Sequence, residues 1–343
     1  MLMVLVLHTI LNFTLRSDFF PSKAWFLFEP IVALSKTSVL LFFILSGYLV
    51  LTKVRSIEQH WQKTRDRLLR PLLFFSAVNI GYNFLRYQQG PHDSPFWQQE
   101  VIRMTNFPSS VLWFLGVLCI FYVLNPLFQL IFAEKEPALA RYLTLLAFGF
   151  SIAAQIIMFP AEKVGMFFTS FTGWLGYLAL YFYGGLVRKN WSPWVTPRIA
   201  GYLAVFGFVL TVLGDYYTMS TQVHNIRAIW AGYTNYLSVP VLMMTLGLFH
   251  LLRERQPIEI SSPHLRTAIV RFVESVAPLS FGVYLIHSFV ISLLTDVVGF
   301  DFNKVHMNVY LYNVVNFGLV FGSSALITWL LRRSPTLRGI LGE

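Results

Sequence analysis

His8 follows the apolar run of residues 1–7 and precedes Thr9. An imidazole titrates near neutrality and can take a proton from a hydroxyl, so His8 suits a general base. A buried histidine bonded to a neighbouring helix is the plainer alternative. Arg67 and Arg70 stand in Lys63-Thr64-Arg65-Asp66-Arg67-Leu68-Leu69-Arg70-Pro71. Three residues apart, they share one face of a helix. Two guanidiniums there make a clamp for phosphates, or else a basic anchor at a membrane surface. In Ser280-Phe281-Gly282-Val283-Tyr284-Leu285-Ile286-His287, Tyr284 and His287 also lie three apart and face one cavity or form a packed polar pair. Lys36 either snorkels to an interface or holds an anionic or polar group at a cavity mouth. In Ser46-Gly47 the glycine suits close helix packing. Trp113 suits an interfacial belt. The single cysteine, Cys119, excludes a disulfide framework and a cysteine-based zinc site. No metal-ligand spacing or Ser-His-Asp arrangement is found, so neither a metal nor a serine triad is expected.

The elements that must hold these residues follow from composition. Of 343 residues, 56% are hydrophobic and 12% charged, where a soluble domain carries about 25% charged residues. With a mean hydropathy of +0.60, a water-soluble enzyme is excluded. A membrane-spanning helix needs about 20 mostly apolar residues. Ten such segments are predicted, at roughly 1–15, 31–52, 71–87, 108–132, 140–158, 167–187, 199–214, 230–252, 277–299 and 308–331. Spans of this length are helices, because lipid offers the backbone no hydrogen-bond partner. The expected fold is therefore all-α, a single integral membrane domain over residues 1–343. A net charge of +10 would suggest nucleic acid in a soluble protein; here it is a topology signal. With the N-terminus in the cytoplasm, eighteen Lys and Arg fall in inside loops and seven outside, with Lys36 in a span. Ten spans then leave both termini cytoplasmic. His250 reads as interfacial and His60 as a loop residue.

Taken in order, several segments resemble the acyltransferase 3 family of membrane O-acyltransferases. They are Met3-Val4-Leu5-Val6-Leu7-His8, then Leu41-Phe42-Phe43-Ile44-Leu45-Ser46-Gly47-Tyr48, then Arg67-x-x-Arg70. Leu112-Trp113-Phe114-Leu115 leads to Asn125-Pro126-Leu127, and Gly282-Val283-Tyr284-Leu285-Ile286-His287 comes last. Within the family the chain looks most like the stand-alone polysaccharide O-acetyltransferases of the enterobacterial common antigen type. The resemblance implies acetyl-CoA as donor, bound from the cytoplasm, and an acyl group passed to a hydroxyl of a cell-surface polysaccharide or lipid-linked sugar. It implies a bacterial cytoplasmic (inner) membrane location, with lipid, coenzyme A donor and glycan acceptor as partners and no nucleic acid. His8 would be the base, Arg67 and Arg70 would meet the coenzyme A phosphates, and Lys36, Ser46, Trp113, Tyr284 and His287 would line the substrate path.

The family also has a basic residue eleven before its histidine. Eleven residues rise about 16 Å along a helix, which would put that residue at the cytoplasmic edge below His8. Counted from His8 the position precedes Met1, so the first span is expected to be a helix truncated at its N-terminus. Two other functions fit ten spans with a polar interior. One is a transporter of lipid-linked sugars or small solutes; the other is an inactive scaffold of a glycan-assembly complex.

Overall fold

The computed structural model describes residues 1–14, 16, 18–53, 55–91, 93–105, 112–133, 137–157, 166–192, 195–221, 236–254 and 263–342. Among the described residues the regular elements are all helical. The first half holds α1 (Leu2–Thr14), α2 (Lys23–Ser35), α3 (Thr37–Val50), α4 (Ile57–Thr64), α5 (Arg70–Tyr87), α6 (Phe96–Thr105) and α7 (Trp113–Ala133). Then come α8 (Ala138–Ile157), α9 (Met166–Arg188), α10 (Pro197–Thr221), α11 (Val239–Glu254), α12 (Pro263–Val276), α13 (Ser280–Asp296), α14 (Val309–Arg333) and α15 (Pro335–Arg338).

Six helical stretches are long and apolar enough to cross a membrane: Lys23–Val50, Ile57–Tyr87, Trp113–Ala133, Pro197–Thr221, His264–Asp296 and Val309–Arg333. Shorter apolar helices cover Leu2–Leu11, Ala138–Ala153 and Val239–Arg253. The predicted spans 1–15, 108–132, 140–158 and 230–252 each run in part onto residues outside the described ones. Local signals set several helix starts. Ser22 caps α2 by accepting from Trp25 N at 3.2 Å, and Asn308 caps α14 by accepting from Tyr310 N at 2.9 Å. Between α1 and α2 the Arg16 guanidinium reaches the Asp18 carboxylate at 2.7 Å and holds that carboxyl below its usual range.

The chain forms two compact units. One comprises Arg55–Pro126 and Ser262–Glu343, with Met1; the other comprises Leu2–Val54 and Leu127–Ser261. In the second unit α3 lies against α9 and α10 against α11. Lipid supplies no hydrophobic drive between helices, so such pairs depend on close packing of small residues. A Cβ at Gly47 would overlap the Tyr181 carbonyl, and one at Gly184 would overlap the Ile44 carbonyl. The backbones of α3 and α9 therefore touch at two points. Gly207 and Gly247 do the same for α10 and α11, against Met244 and Ala200. The packing expected of Gly47 is what the structure has.

Overpacking such a contact costs about 1–3 kcal/mol. Gly47→Val should therefore lower the thermal midpoint in detergent clearly. Gly81→Ala, where an added Cβ meets nothing within 4 Å, should leave it unchanged. Equal midpoints for the two variants would refute the close contact.

Candidate active site

His8 lies in the middle of α1, half-buried, between the buried residues Leu7 and Thr9. Thr9 Oγ1 donates back to Leu5 O at 2.8 Å, which keeps that hydroxyl inside its own helix. The end of α1 is fixed by Trp25 of α2, whose Nε1 donates to Thr14 O at 3.2 Å.

Where α2 meets α3 the structure holds a cluster of charges that hydropathy had split. Lys36 joins the two helices and keeps α-region backbone angles. Its Nζ lies 2.7 Å from Asp215 Oδ2 of α10 and 3.8 Å from Glu29 Oε1 of α2. Lys36 is 2% exposed, Glu29 1% and Asp215 0%. Lys36 is thus turned inward onto two carboxylates and does not snorkel. Neither acid was picked out from the sequence. Glu29 falls two residues before the predicted second span and Asp215 one residue after the predicted seventh. The helices run further, to Lys23 on one side and Thr221 on the other, and so enclose both. The usable signal was a lone acid at the edge of a long apolar helix, since an acid there is paired or functional. Ser46 is half-buried on α3, beside Gly47.

In the other unit, Arg67 and Arg70 sit where the helix changes type. Residues Arg65–Leu69 form a π-helical turn between α4 and α5, closed by Arg70 N donating to Arg65 O. Such turns are rare and concentrate at functional sites. The wider turn opens the angle between the two side chains beyond the α-helical value assumed from their spacing. Both arginines are exposed. Arg70 Nη1 lies 3.1 Å from Asp66 Oδ1, which Arg65 also pairs at 2.9 Å. Among the described residues Arg67 makes no ion pair, so its guanidinium is open to a ligand. The turn is backed by the chain's last residues: Leu341 is buried, and a Cβ at Gly342 would stand 2.7 Å from Arg67 O. Gly342 has φ +75°, a left-handed angle that glycine adopts without strain.

His60 is buried on α4, with Nδ1 3.4 Å from Asn125 Nδ2 of α7. The sequence placed it in a loop. The helix instead starts at Ile57, where Ser56 caps it by accepting from Gln59 N at 3.3 Å. Asn125 of the Asn-Pro-Leu segment is thus tied to the helix that leads into the arginine turn.

Tyr284 and His287 do come together on α13, both buried, with rings 5.9 Å apart. His287 Nδ1 lies 2.6 Å from Tyr284 O. A carbonyl only accepts, so Nδ1 carries the proton and Nε2 is the ring's acceptor atom. Phe114, one residue after Trp113, packs edge-on against Tyr284 at 5.9 Å. Trp113 itself is half-buried at the start of α7.

Residues 1–333 match the family model of an acyltransferase domain, the acyltransferase 3 type. The match takes in His8, Lys36, Ser46, both arginines, Trp113, Tyr284 and His287. The chain belongs to the acyltransferase 3 family. No curated protein and no solved structure matches the chain. With helices apolar enough to cross a bilayer, this acyltransferase is an integral membrane protein. The turn formed by α15 and the residues after it lies beyond the family match, yet in this acyltransferase it backs Arg67.

Removing one partner of a buried ion pair typically costs about 3–5 kcal/mol. Lys36→Met should therefore strongly reduce the yield of folded, monodisperse acyltransferase. Lys36→Met combined with Asp215→Leu should recover part of that loss, giving a coupling of about 0.5–3 kcal/mol between the two sites. Strictly additive effects in a denaturation series would sink the pairing.

Proposed function

We propose that this chain is an O-acyltransferase that moves an acetyl group from acetyl-CoA on the cytoplasmic side to a hydroxyl of a cell-surface polysaccharide or lipid-linked sugar. The observation that carries this reading is the family match over residues 1–333, which includes a helical histidine and an exposed arginine turn. The enterobacterial common antigen type of stand-alone acetyltransferase and the bacterial inner membrane belong to the same proposal. Ten apolar helices support a ten-span topology: the nine stretches named above and α9 follow the ten predicted spans one for one. The eighteen-to-seven division of Lys and Arg supports cytoplasmic termini.

In this mechanism Arg67 and Arg70 hold the donor's phosphates through charge-assisted hydrogen bonds. His8 accepts the proton of the sugar hydroxyl as its oxygen attacks the thioester carbonyl. A C–O bond forms, the C–S bond breaks, and the proton passes from His8 to the departing thiolate. His287, with Nε2 as its acceptor atom, and Tyr284 provide polar groups on one helix for the acceptor's hydroxyls. Lys36 contributes through Asp215 and Glu29, which orient the ends of α2 and α3.

A transporter of lipid-linked sugars is the second reading. It draws on the buried Lys36–Asp215–Glu29 cluster, because ionisable groups within a membrane commonly mark ion or proton pathways. Movement of a lipid-linked sugar across liposomes in the absence of any acyl donor would support it.

Acetyl-CoA titrated into the purified protein should bind, and Arg67→Ala/Arg70→Ala should weaken that binding about tenfold or more, as expected for lost hydrogen bonds to charged groups. His8→Ala should keep donor binding and lower acetyl transfer by about 10²–10⁴-fold. Undiminished transfer by His8→Ala, with radiolabelled acetyl-CoA and a glycan acceptor, would overturn the role of His8. Undiminished binding by the arginine variant would overturn the donor site.

A further inference from the structure

The unit comprising Leu2–Val54 and Leu127–Ser261 carries a second basic cluster, which uses none of the residues given a role in the proposed mechanism. It forms where α3, α9 and α11 all end. Arg188 is in the last turn of α9 and Arg253 in the last turn of α11. Both converge on one phenol, that of Tyr48 near the end of α3. Arg188 Nη1 donates to Tyr48 Oη at 3.1 Å, and its guanidinium carbon lies 5.0 Å from the centre of the Tyr48 ring. Arg253 bears on the same hydroxyl as a nearby charge.

Cations at helix C-termini are ordinary, because they complement the helix dipole. Two features set this pair apart. The two guanidinium charges both bear on a neutral phenol, one of them hydrogen-bonded to it, and among the described residues neither makes an ion pair with a carboxylate. Like charges brought together this way repel unless an anion joins them. The second feature is a scaffold that holds Arg253 in place. Its Nη2 donates to Asn190 Oδ1 at 2.8 Å. Asn190 has φ 55°, the left-handed position that ends a helix. The cap is completed by Trp191 N donating to Leu186 O at 2.8 Å. Beneath the exposed arginines, Tyr183 Oη and His250 Nε2 meet at 2.6 Å in a buried pair, which fixes α9 to α11 one to two turns before the two arginines.

We propose that Arg188, Arg253 and Tyr48 form a phosphate-binding site. Guanidiniums present paired donors that match phosphate oxygens, and the phenol supplies a further donor once an anion displaces it as acceptor. The ligand is a phosphoanion, either the phosphate of a soluble nucleotide or the headgroup of an anionic phospholipid. The site stands whether or not Arg67 and Arg70 bind an acyl donor.

The test uses the full chain in zwitterionic detergent, in an Arg67→Ala/Arg70→Ala background so that failure of the donor site cannot be mistaken for failure of this one. Inorganic pyrophosphate is titrated calorimetrically, and phospholipid retained from phosphatidylglycerol-containing nanodiscs is measured by mass spectrometry. Adding Arg188→Gln/Arg253→Gln should weaken pyrophosphate binding about tenfold or more, or abolish selective retention of phosphatidylglycerol. The first outcome assigns the site to soluble phosphates and the second to lipid headgroups. Asn190→Gly preserves the helix cap and removes only the anchor of Arg253. It should weaken the same ligand to a smaller degree, and it serves as the readout if the double variant does not fold. If neither pyrophosphate affinity nor lipid retention changes in any variant with a wild-type melting profile, the proposal is overturned.

Discussion

The contact on which most of the Leu2–Val54 and Leu127–Ser261 unit depends is the touching of two backbones, α3 against α9. Gly47 meets the Tyr181 carbonyl and Gly184 meets that of Ile44. Between helices in lipid, packing and polar contacts must supply the attraction that water supplies elsewhere. The approach of α3 to α9 also fixes what each end of α3 can reach. Lys36 and Tyr48 are twelve residues apart, or about 18 Å along the helix. One end meets a pair of carboxylates and the other a pair of guanidiniums. A side chain at either glycine would push α3 outward and displace both.

The buried charges at the first of these ends hold three helices together. Glu29 and Asp215 reach Lys36 from α2 and α10. Taking charges out of water costs several kcal/mol per ion, and only close, opposite partners offset it. An ammonium at 2.7 Å from one carboxylate meets that condition. The arrangement is strongly directional, which apolar contacts are not, and so it fixes the register of α10 against the α2–α3 junction. In the proposed mechanism, which needs His8 held at a set depth on α1, such register has a purpose. Trp25 and Glu29 lie on the same helix, α2, and Trp25 carries the hydrogen bond to the end of α1.

Much of this architecture could be read from the residues. Among the described residues six helical stretches long and apolar enough to cross a membrane overlap predicted spans, Gly47 packs as a small residue should, and Tyr284 and His287 meet as their spacing says. What escaped has a common physical cause. A hydropathy window stops where a charge begins, so it trimmed Glu29 and Asp215 from the very helices that bury them. Their partner Lys36 is 179 residues from Asp215, and no local pattern encodes a pairing at that distance. His60 was lost for a related reason, since most of the exposed residues of α4 are polar and it precedes the apolar part of the helix. The arginine turn was misjudged differently. Its residues were found from the resemblance and their charge, but a π-helical turn has no hydrophobic period to announce it.

That π-helical turn has one more consequence. It amounts to a single residue looped into an otherwise regular rod, so α4 and α5 follow different helical phases. Residues upstream of Arg65 and downstream of Leu69 can each satisfy their own neighbours, His60 with Asn125 on one side and the apolar run after Pro71 on the other. Closing the turn to α-helical hydrogen bonding with all its residues kept would re-phase everything beyond it by about 100°. The two arginines would then regain α-helical spacing, while either His60 or the face of α5 lost its place. The bulge thus lets one continuous helix satisfy two sets of neighbours at once.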